Sequence, residues 1–117
     1  GQRSLRLENC LIFISHHYRE SLTAADIARH VKMSVTQVNI WFRQEFNLSL
    51  MQYVYQFRLK IARHLLSNDY LSIGEIADQC GFSSANYFIR AFRRCYGMTP
   101  GELRRMPSWE FGSDKAL

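Results

Sequence analysis

The feature that most limits the possible folds is an internal repeat of one short pattern. Leu22-Thr23 recurs as Leu71-Ser72, at an offset of 49 residues. Further along the offset becomes 50, since Phe42-Arg43 recurs as Phe92-Arg93. The second copy therefore carries one extra residue, which we place around Gly81-Phe82. At 117 residues the chain has the length of one domain, so it has room for two copies of a small unit and a connecting segment.

Five positions carry the signal of a helix start, in which a Ser or Thr is followed three residues later by Glu, Gln or Asp. The pairs are Thr23 with Asp26, Ser34 with Gln37, Ser49 with Gln52, Ser72 with Glu75, and Thr99 with Glu102. Pro100 follows Thr99 at the first helical position, where its missing N–H costs nothing. Asn47 and Gly97 come just after apolar runs, where a left-handed residue commonly ends a helix.

These signals predict an all-α fold of about seven helices and no strands. The predicted helices span residues 5–19, 23–30, 34–46, 49–66, 72–80, 84–96 and 99–106. Leu50, Val54, Phe57, Ile61 and Leu65 follow helical spacing along the fourth helix. We expect this linker helix to pack through that stripe, so that Ile61→Ala would cost about 2–5 kcal/mol of folding stability.

Each repeat consists of a short helix, a tight turn and a longer helix, which is the helix-turn-helix arrangement. In the second copy, Ala77 is small where two helices would cross closely, and Gly81 lies where the turn needs a positive φ. The first copy keeps the small residue as Ala28. It has Lys32 in place of the glycine, so its turn must accommodate a side chain.

Both longer helices have a face that we expect to be buried and a face that we expect to bind a ligand. The predicted buried stripes are Val38, Phe42 and Phe46 in the first copy, and Tyr87, Phe88, Ala91, Phe92 and Cys95 in the second. The opposite faces are Thr36, Asn39, Ile40 and Arg43 in the first copy, and Asn86, Ile89, Arg90 and Arg93 in the second. Outward isoleucines suit thymine methyl groups better than water, so these faces indicate contact with DNA bases.

The second copy resembles the DNA-binding domain of the AraC/XylS-type transcription regulators. The matching motifs are Ile73-Gly74-Glu75-Ile76-Ala77, Gly81-Phe82-Ser83-Ser84, Tyr87-Phe88, Arg90-Ala91-Phe92-Arg93-Arg94 and Tyr96-Gly97-Met98-Thr99-Pro100, with Arg58-Leu59 in the linker helix. The resemblance implies two homeodomain-like helix-turn-helix subdomains, whose second helices enter successive major grooves of duplex DNA. Ser84 and Ala85, where the second such helix starts, complete the predicted DNA-contacting set. Ile40 departs from the family, which usually has an outward arginine there.

The resemblance also sets the predicted boundaries. Residues 1–4 are expected to be a cloning remnant or linker, and residues 5–106 the DNA-binding domain. Within it we place the first subdomain at 5–48, the linker helix at 49–66 and the second subdomain at 67–106. Residues 107–117 form a C-terminal tail. The family further implies an effector-binding or dimerisation domain elsewhere in a longer parent protein, and contact of that parent with RNA polymerase.

Charge and composition agree with this hypothesis. Fifteen Lys and Arg against ten Asp and Glu give a net charge of +5, which suits a polyanionic partner. Three cysteines without a C-x-x-C pair predict reduced thiols in a cytoplasmic protein. The family resemblance further implies association with the nucleoid. We find no pattern for a catalytic site, metal, cofactor or membrane segment. The main alternative is a helical protein-interaction module, whose binding would depend far less on salt than DNA binding does.

Overall fold

The structure, a computed structural model, describes residues 1–107, which form seven α-helices and contain no strand. The helices are α1 (Gln2–His17), α2 (Ala24–His30), α3 (Val35–Phe46), α4 (Leu50–Leu65), α5 (Ile73–Gln79), α6 (Ala85–Tyr96) and α7 (Pro100–Arg104). The all-α prediction is confirmed. The tail predicted over 107–117 lies outside the described residues, apart from Pro107.

The predicted helix starts are confirmed by their hydrogen bonds. Thr23, Ser72 and Thr99 each accept a bond from the backbone N–H three residues later and donate their own N–H to that residue's carboxylate. Ser49 and Gln52 form the same reciprocal pair at α4. Hydrogen bonds from the cap residue hold the pKa of Asp26 below its usual range, as they do at the other two capping carboxylates. The larger effect comes from the backbone N–H of the cap residue and the smaller from its side chain.

Two helices differ from their predicted bounds by two residues or more, at ends that carry no capping signal; the other bounds agree to within one residue. The first helix was predicted over 5–19, but α1 runs from Gln2 to His17, and Gly1 at its start offers no side-chain cap. Helix α7 was predicted to reach residue 106 and ends at Arg104. Without a side chain that bonds the terminal amides or carbonyls, nothing local in the sequence marks where a helix stops.

The chain divides into two compact units within α4, between Arg58 and Leu59. In unit 1, α1 to α3 and the first part of α4 supply one buried cluster. Its helical members are Leu7, Cys10, Ile14, Ile27, Ala28, Val38, Phe42, Leu50 and Val54. Among the described residues of unit 2, the buried apolar side chains include Leu59, Ala62, Leu66, Ile76, Ala77, Cys80, Phe82, Phe88, Ala91, Phe92 and Leu103.

The second half of α4 buries a different stripe from the one that the sequence predicts. Leu50 and Val54 are fully buried as expected, but Ile61 and Leu65 are only half-buried. Leu59 and Ala62 are fully buried instead, followed by Leu66 just after the helix. Their i, i+3 and i+7 spacing is also helical, so periodicity alone does not separate the two stripes.

Both helix-turn-helix turns pass through a left-handed backbone conformation. Gly81 has φ of 87° and Lys32, its counterpart in unit 1, has φ of 59°. The predicted need for positive φ is therefore confirmed. Unit 1 meets it with a residue that has a Cβ, for which this conformation costs about 1–2 kcal/mol.

We expect Leu59→Ala to lower the free energy of unfolding by about 2–5 kcal/mol, because it removes a fully buried side chain. Ile61→Ala is the matched comparison and should cost less, about 1 kcal/mol, because Ile61 is only partly buried. Urea unfolding of both variants measures the difference. Equal losses would show that the buried stripe is assigned to the wrong face of α4.

We expect Lys32→Gly to raise the free energy of unfolding by about 0.5–1 kcal/mol. Glycine removes the left-handed strain, and the greater freedom of the unfolded chain offsets part of that gain. Lys32→Ala is the control, since it removes the same charge and keeps the Cβ. If chemical denaturation finds the glycine variant no more stable than the alanine variant, the turn is not strained.

Candidate nucleic-acid interface

The two turns place the longer helix of each unit against a small residue of the shorter one. The Met33 N–H donates to the Ala28 carbonyl over 3.0 Å, and the Phe82 N–H donates to the Ala77 carbonyl over the same distance. Both alanines are buried, so α2 and α3, like α5 and α6, pack closely at this point. The turn has four residues in unit 1 and five in unit 2, as the repeat offsets predict.

The outward face of α3 contains three of the four residues predicted for it. Thr36, Ile40 and Arg43 are exposed at i, i+4 and i+7, and Ile40 keeps 44% of its surface accessible. Val38 and Phe42 are fully buried on the opposite side. An exposed isoleucine between a hydroxyl group and a guanidinium gives a face that can contact a methyl group and hydrogen-bond acceptors.

Asn39, the fourth residue predicted for this face, is half-buried and already has a partner. Its side-chain Oδ1 accepts a hydrogen bond of 2.8 Å from the backbone N–H of Leu50, the first residue of α4. No capping pattern predicts this bond, because the two residues lie eleven positions apart in the sequence. Asn39 therefore differs from the three exposed residues, because its side-chain oxygen is bonded within the protein.

The outward face of α6 repeats that of α3 position by position. Asn86, Arg90 and Arg93 are exposed at the positions equivalent to Thr36, Ile40 and Arg43, each at an offset of 50. At the start of the helix Ser84 and Ala85 are exposed, and Ser84 Oγ accepts from the Tyr87 N–H over 3.1 Å. Ile89 is half-buried, so it is less available than the sequence predicts.

The two faces differ in charge. Helix α3 contains Arg43 and Glu45 and has no net charge, whereas α6 contains Arg90, Arg93 and Arg94 and no acidic residue. Within residues 1–107, no carboxylate lies within 4.0 Å of the Arg90 guanidinium. In this part of the chain, the Arg90 guanidinium is therefore not paired with an acidic side chain.

A model of the helix-turn-helix domain family matches residues 27–106. The chain is similar to the Msm operon regulatory protein of Streptococcus mutans, with 37% identity over 92 residues that cover 79% of this chain and 33% of that protein. It also resembles the crystal structure of a transcriptional regulator with an AraC-type DNA-binding domain from Chromobacterium violaceum. There the identity is 31% and the TM-score 0.81, over 89% of this chain and 96% of the other.

The chain belongs to the AraC-type family of helix-turn-helix DNA-binding domains. A further solved structure, the DNA-binding domain of AdpA in complex with a target DNA, shares the fold. Its TM-score is 0.79 at 23% identity, over 95% of this chain and 96% of that one. The AraC-type chain spans about a third of the length of the curated relatives that it matches.

Two arginines of this AraC-type chain hold backbone carbonyls. The Arg58 guanidinium donates to the carbonyls of Tyr18 (2.8 Å) and Glu20 (2.9 Å), just beyond the end of α1. The Arg104 guanidinium donates to three carbonyls after α4, those of Leu66 (3.1 Å), Leu71 (2.7 Å) and Asn68 (3.2 Å). These two side chains hold the segments that precede α2 and α5, the first helix of each helix-turn-helix.

Two residues assigned to the buried stripe of α6 lie at its edge. Tyr87 is 40% exposed, with its ring edge-on to Phe82 at 5.7 Å between centroids. Cys95 is exposed as well, whereas Phe88, Ala91 and Phe92 between them are fully buried. The stripe is narrower than helical spacing suggests, because only its central residues reach the core. Partial desolvation of the thiol raises the pKa of Cys95, which opposes the role of an activated nucleophile.

Neither a metal-ligating cluster nor a membrane-spanning helix is present in the described part of the AraC-type chain. Among residues 1–107, no group of three or more His, Cys, Asp or Glu side chains is arranged to hold a metal ion. In the same range, the helices are too short or too polar to cross a bilayer.

Proposed function

We propose that this chain binds duplex DNA sequence-specifically, as the DNA-binding part of a bacterial transcription regulator. One observation carries the proposal: the second helix of each helix-turn-helix unit exposes the same three positions, 36, 40 and 43 in α3 and 86, 90 and 93 in α6. In helix-turn-helix proteins this helix lies in the major groove. Membership of the AraC-type family and the DNA complex of the related AdpA domain support it.

Two equivalent units in one chain supply two groove-binding helices without a second subunit. The fragment should therefore bind as a monomer across about two helical turns, with α3 and α6 in successive major grooves. Footprinting on a site selected from random duplex DNA, combined with the measured mass of the complex, tests this. Protection of one short half-site, or a dimer on each site, would contradict it.

The two helices contribute differently to base recognition. Arg90 can hold guanine through two parallel hydrogen bonds, whereas Ile40 at the equivalent position can offer only apolar contact, such as to a thymine methyl group. Arg43 and Arg93, one turn further along, lie nearer the DNA backbone in this arrangement and would contact phosphates. The first-turn positions of each helix are Thr36 in α3, and Ser84, Ala85 and Asn86 in α6. The hydroxyl groups of Thr36 and Ser84, the side-chain amide of Asn86 and the backbone N–H of Ala85 would make further polar contacts to bases or phosphates.

Arg90→Ala should relax the preference at one or two base pairs, at a cost of about 1–3 kcal/mol in discrimination. Arg93→Ala is the matched comparison and should weaken binding to all sequences alike, lowering the salt slope by about one. Site selection and salt titration of both variants separate these effects. An unchanged base preference with uniformly weaker binding by Arg90→Ala would make Arg90 a phosphate ligand instead.

A helical protein-interaction module is the second candidate, and two exposed side chains of α1 favour it. Leu5 and Ile12, seven residues apart, are 58% and 48% exposed. An apolar partner bound there would resist salt, whereas DNA affinity falls steeply as salt rises. The same salt titration therefore distinguishes the two functions.

The parent protein, by analogy with relatives three times as long, would add a domain for effector binding or dimerisation. It would act in the cytoplasm on the nucleoid and regulate transcription through contact with RNA polymerase. The binding arrangement described above needs no cofactor and no catalysis. The operator sequence and the direction of regulation would follow from the selected sites and their promoters.

A further inference from the structure

The hydrogen bond between Asn39 and Leu50 joins the middle of α3 to the start of α4. It spans 2.8 Å from the Leu50 N–H to Asn39 Oδ1, and it is partly shielded from water. Leu50 is the first residue of α4 and its side chain is fully buried. An amide at that position has no partner within its own helix, so Asn39 supplies the missing acceptor.

In unit 2 the equivalent helix start has different residues and leaves no amide at this position without an acceptor. At an offset of 50, the counterparts of Asn39 and Leu50 are Ile89 and Pro100. Proline has no N–H, so the start of α7 presents no donor at this position, and isoleucine can replace the amide side chain without leaving a polar group unsatisfied. The capping pairs beside them, Ser49 with Gln52 and Thr99 with Glu102, are present in both units. At this junction the two units therefore differ in one acceptor and its donor.

We propose that Asn39 is a positioning residue, which fixes α3 against the first turn of α4 and so sets where Thr36, Ile40 and Arg43 meet the DNA. This inference rests on the proposed function. A base contact by asparagine uses both amide atoms, since adenine is held through one acceptor and one donor. In this chain Asn39 Oδ1 already accepts the Leu50 N–H within the protein, so holding adenine in that way would require the oxygen to share this bond or to break it.

The test uses Asn39→Asp and Asn39→Ala, with Gln44→Asp as the control for adding a negative charge to an exposed position of α3. Aspartate keeps an acceptor oxygen for the Leu50 N–H and loses the amide donor that adenine requires. Two measurements are made on each chain. Amide hydrogen exchange at Leu50 and along α3 reports the bond without DNA, and site selection from random duplexes reports base preference.

In Asn39→Ala, exchange at Leu50 should accelerate about tenfold, and the preference should weaken across all base pairs contacted by α3 but not those contacted by α6. In Asn39→Asp, the Leu50 amide should stay protected from exchange and the base preference should be kept. The affinity for DNA should fall by the same factor as in Gln44→Asp. The base pairs contacted by α6 serve as an internal reference in every selection.

Either of two results would overturn the proposal. Unchanged Leu50 exchange in Asn39→Ala would show that the bond does not hold α3 to α4. Loss of an adenine preference at a single base pair in Asn39→Asp, with Leu50 still protected, would make Asn39 a base-contacting residue. Absence of any DNA binding by the unmodified chain would instead overturn the proposed function, and the exchange experiment would still decide whether Asn39 fixes α3.

Discussion

Each unit depends on the close crossing of two helices over a buried alanine. Ala28 and Ala77 leave room for the backbone of the following turn to approach, and each carbonyl accepts the N–H that lies five residues further along. A larger side chain would separate the helices, and the turn could no longer reverse direction within four or five residues. The orientation of α3 and α6, and hence which side chains face outwards, follows from this contact.

The elements that the sequence predicted well are those governed by local chemistry. A hydroxyl group at a cap and an acceptor three residues later satisfy the first amides of a helix wherever that helix lies, so five of the seven helix starts were visible. Asn47 and Gly97 both adopt the left-handed conformation expected where a helix ends. The outward faces of α3 and α6 were also predictable in outline, because the repeat fixes their register to the buried phenylalanines.

The features that the sequence did not reveal depend on contacts between distant residues. The stripe buried in the second half of α4 could not be chosen, because Ile61 and Leu59 both lie on helical stripes and only the packing of unit 2 decides between them. The same limit applies to Tyr87 and Cys95, which follow the helical period yet lie at the margin of the core. Asn39 looked like a surface residue because its partner belongs to the next helix.

The carbonyl-binding arginines, Arg58 and Arg104, separate two effects that the net charge of the chain combines. Each guanidinium keeps its positive charge, so it still contributes to the electric field that draws a polyanion towards the protein. Its donors, however, form hydrogen bonds with backbone carbonyls. These two cations therefore attract an anionic partner at long range while their hydrogen bonds stabilise the protein itself, so a count of basic residues overstates how many side chains are available for direct contact with that partner.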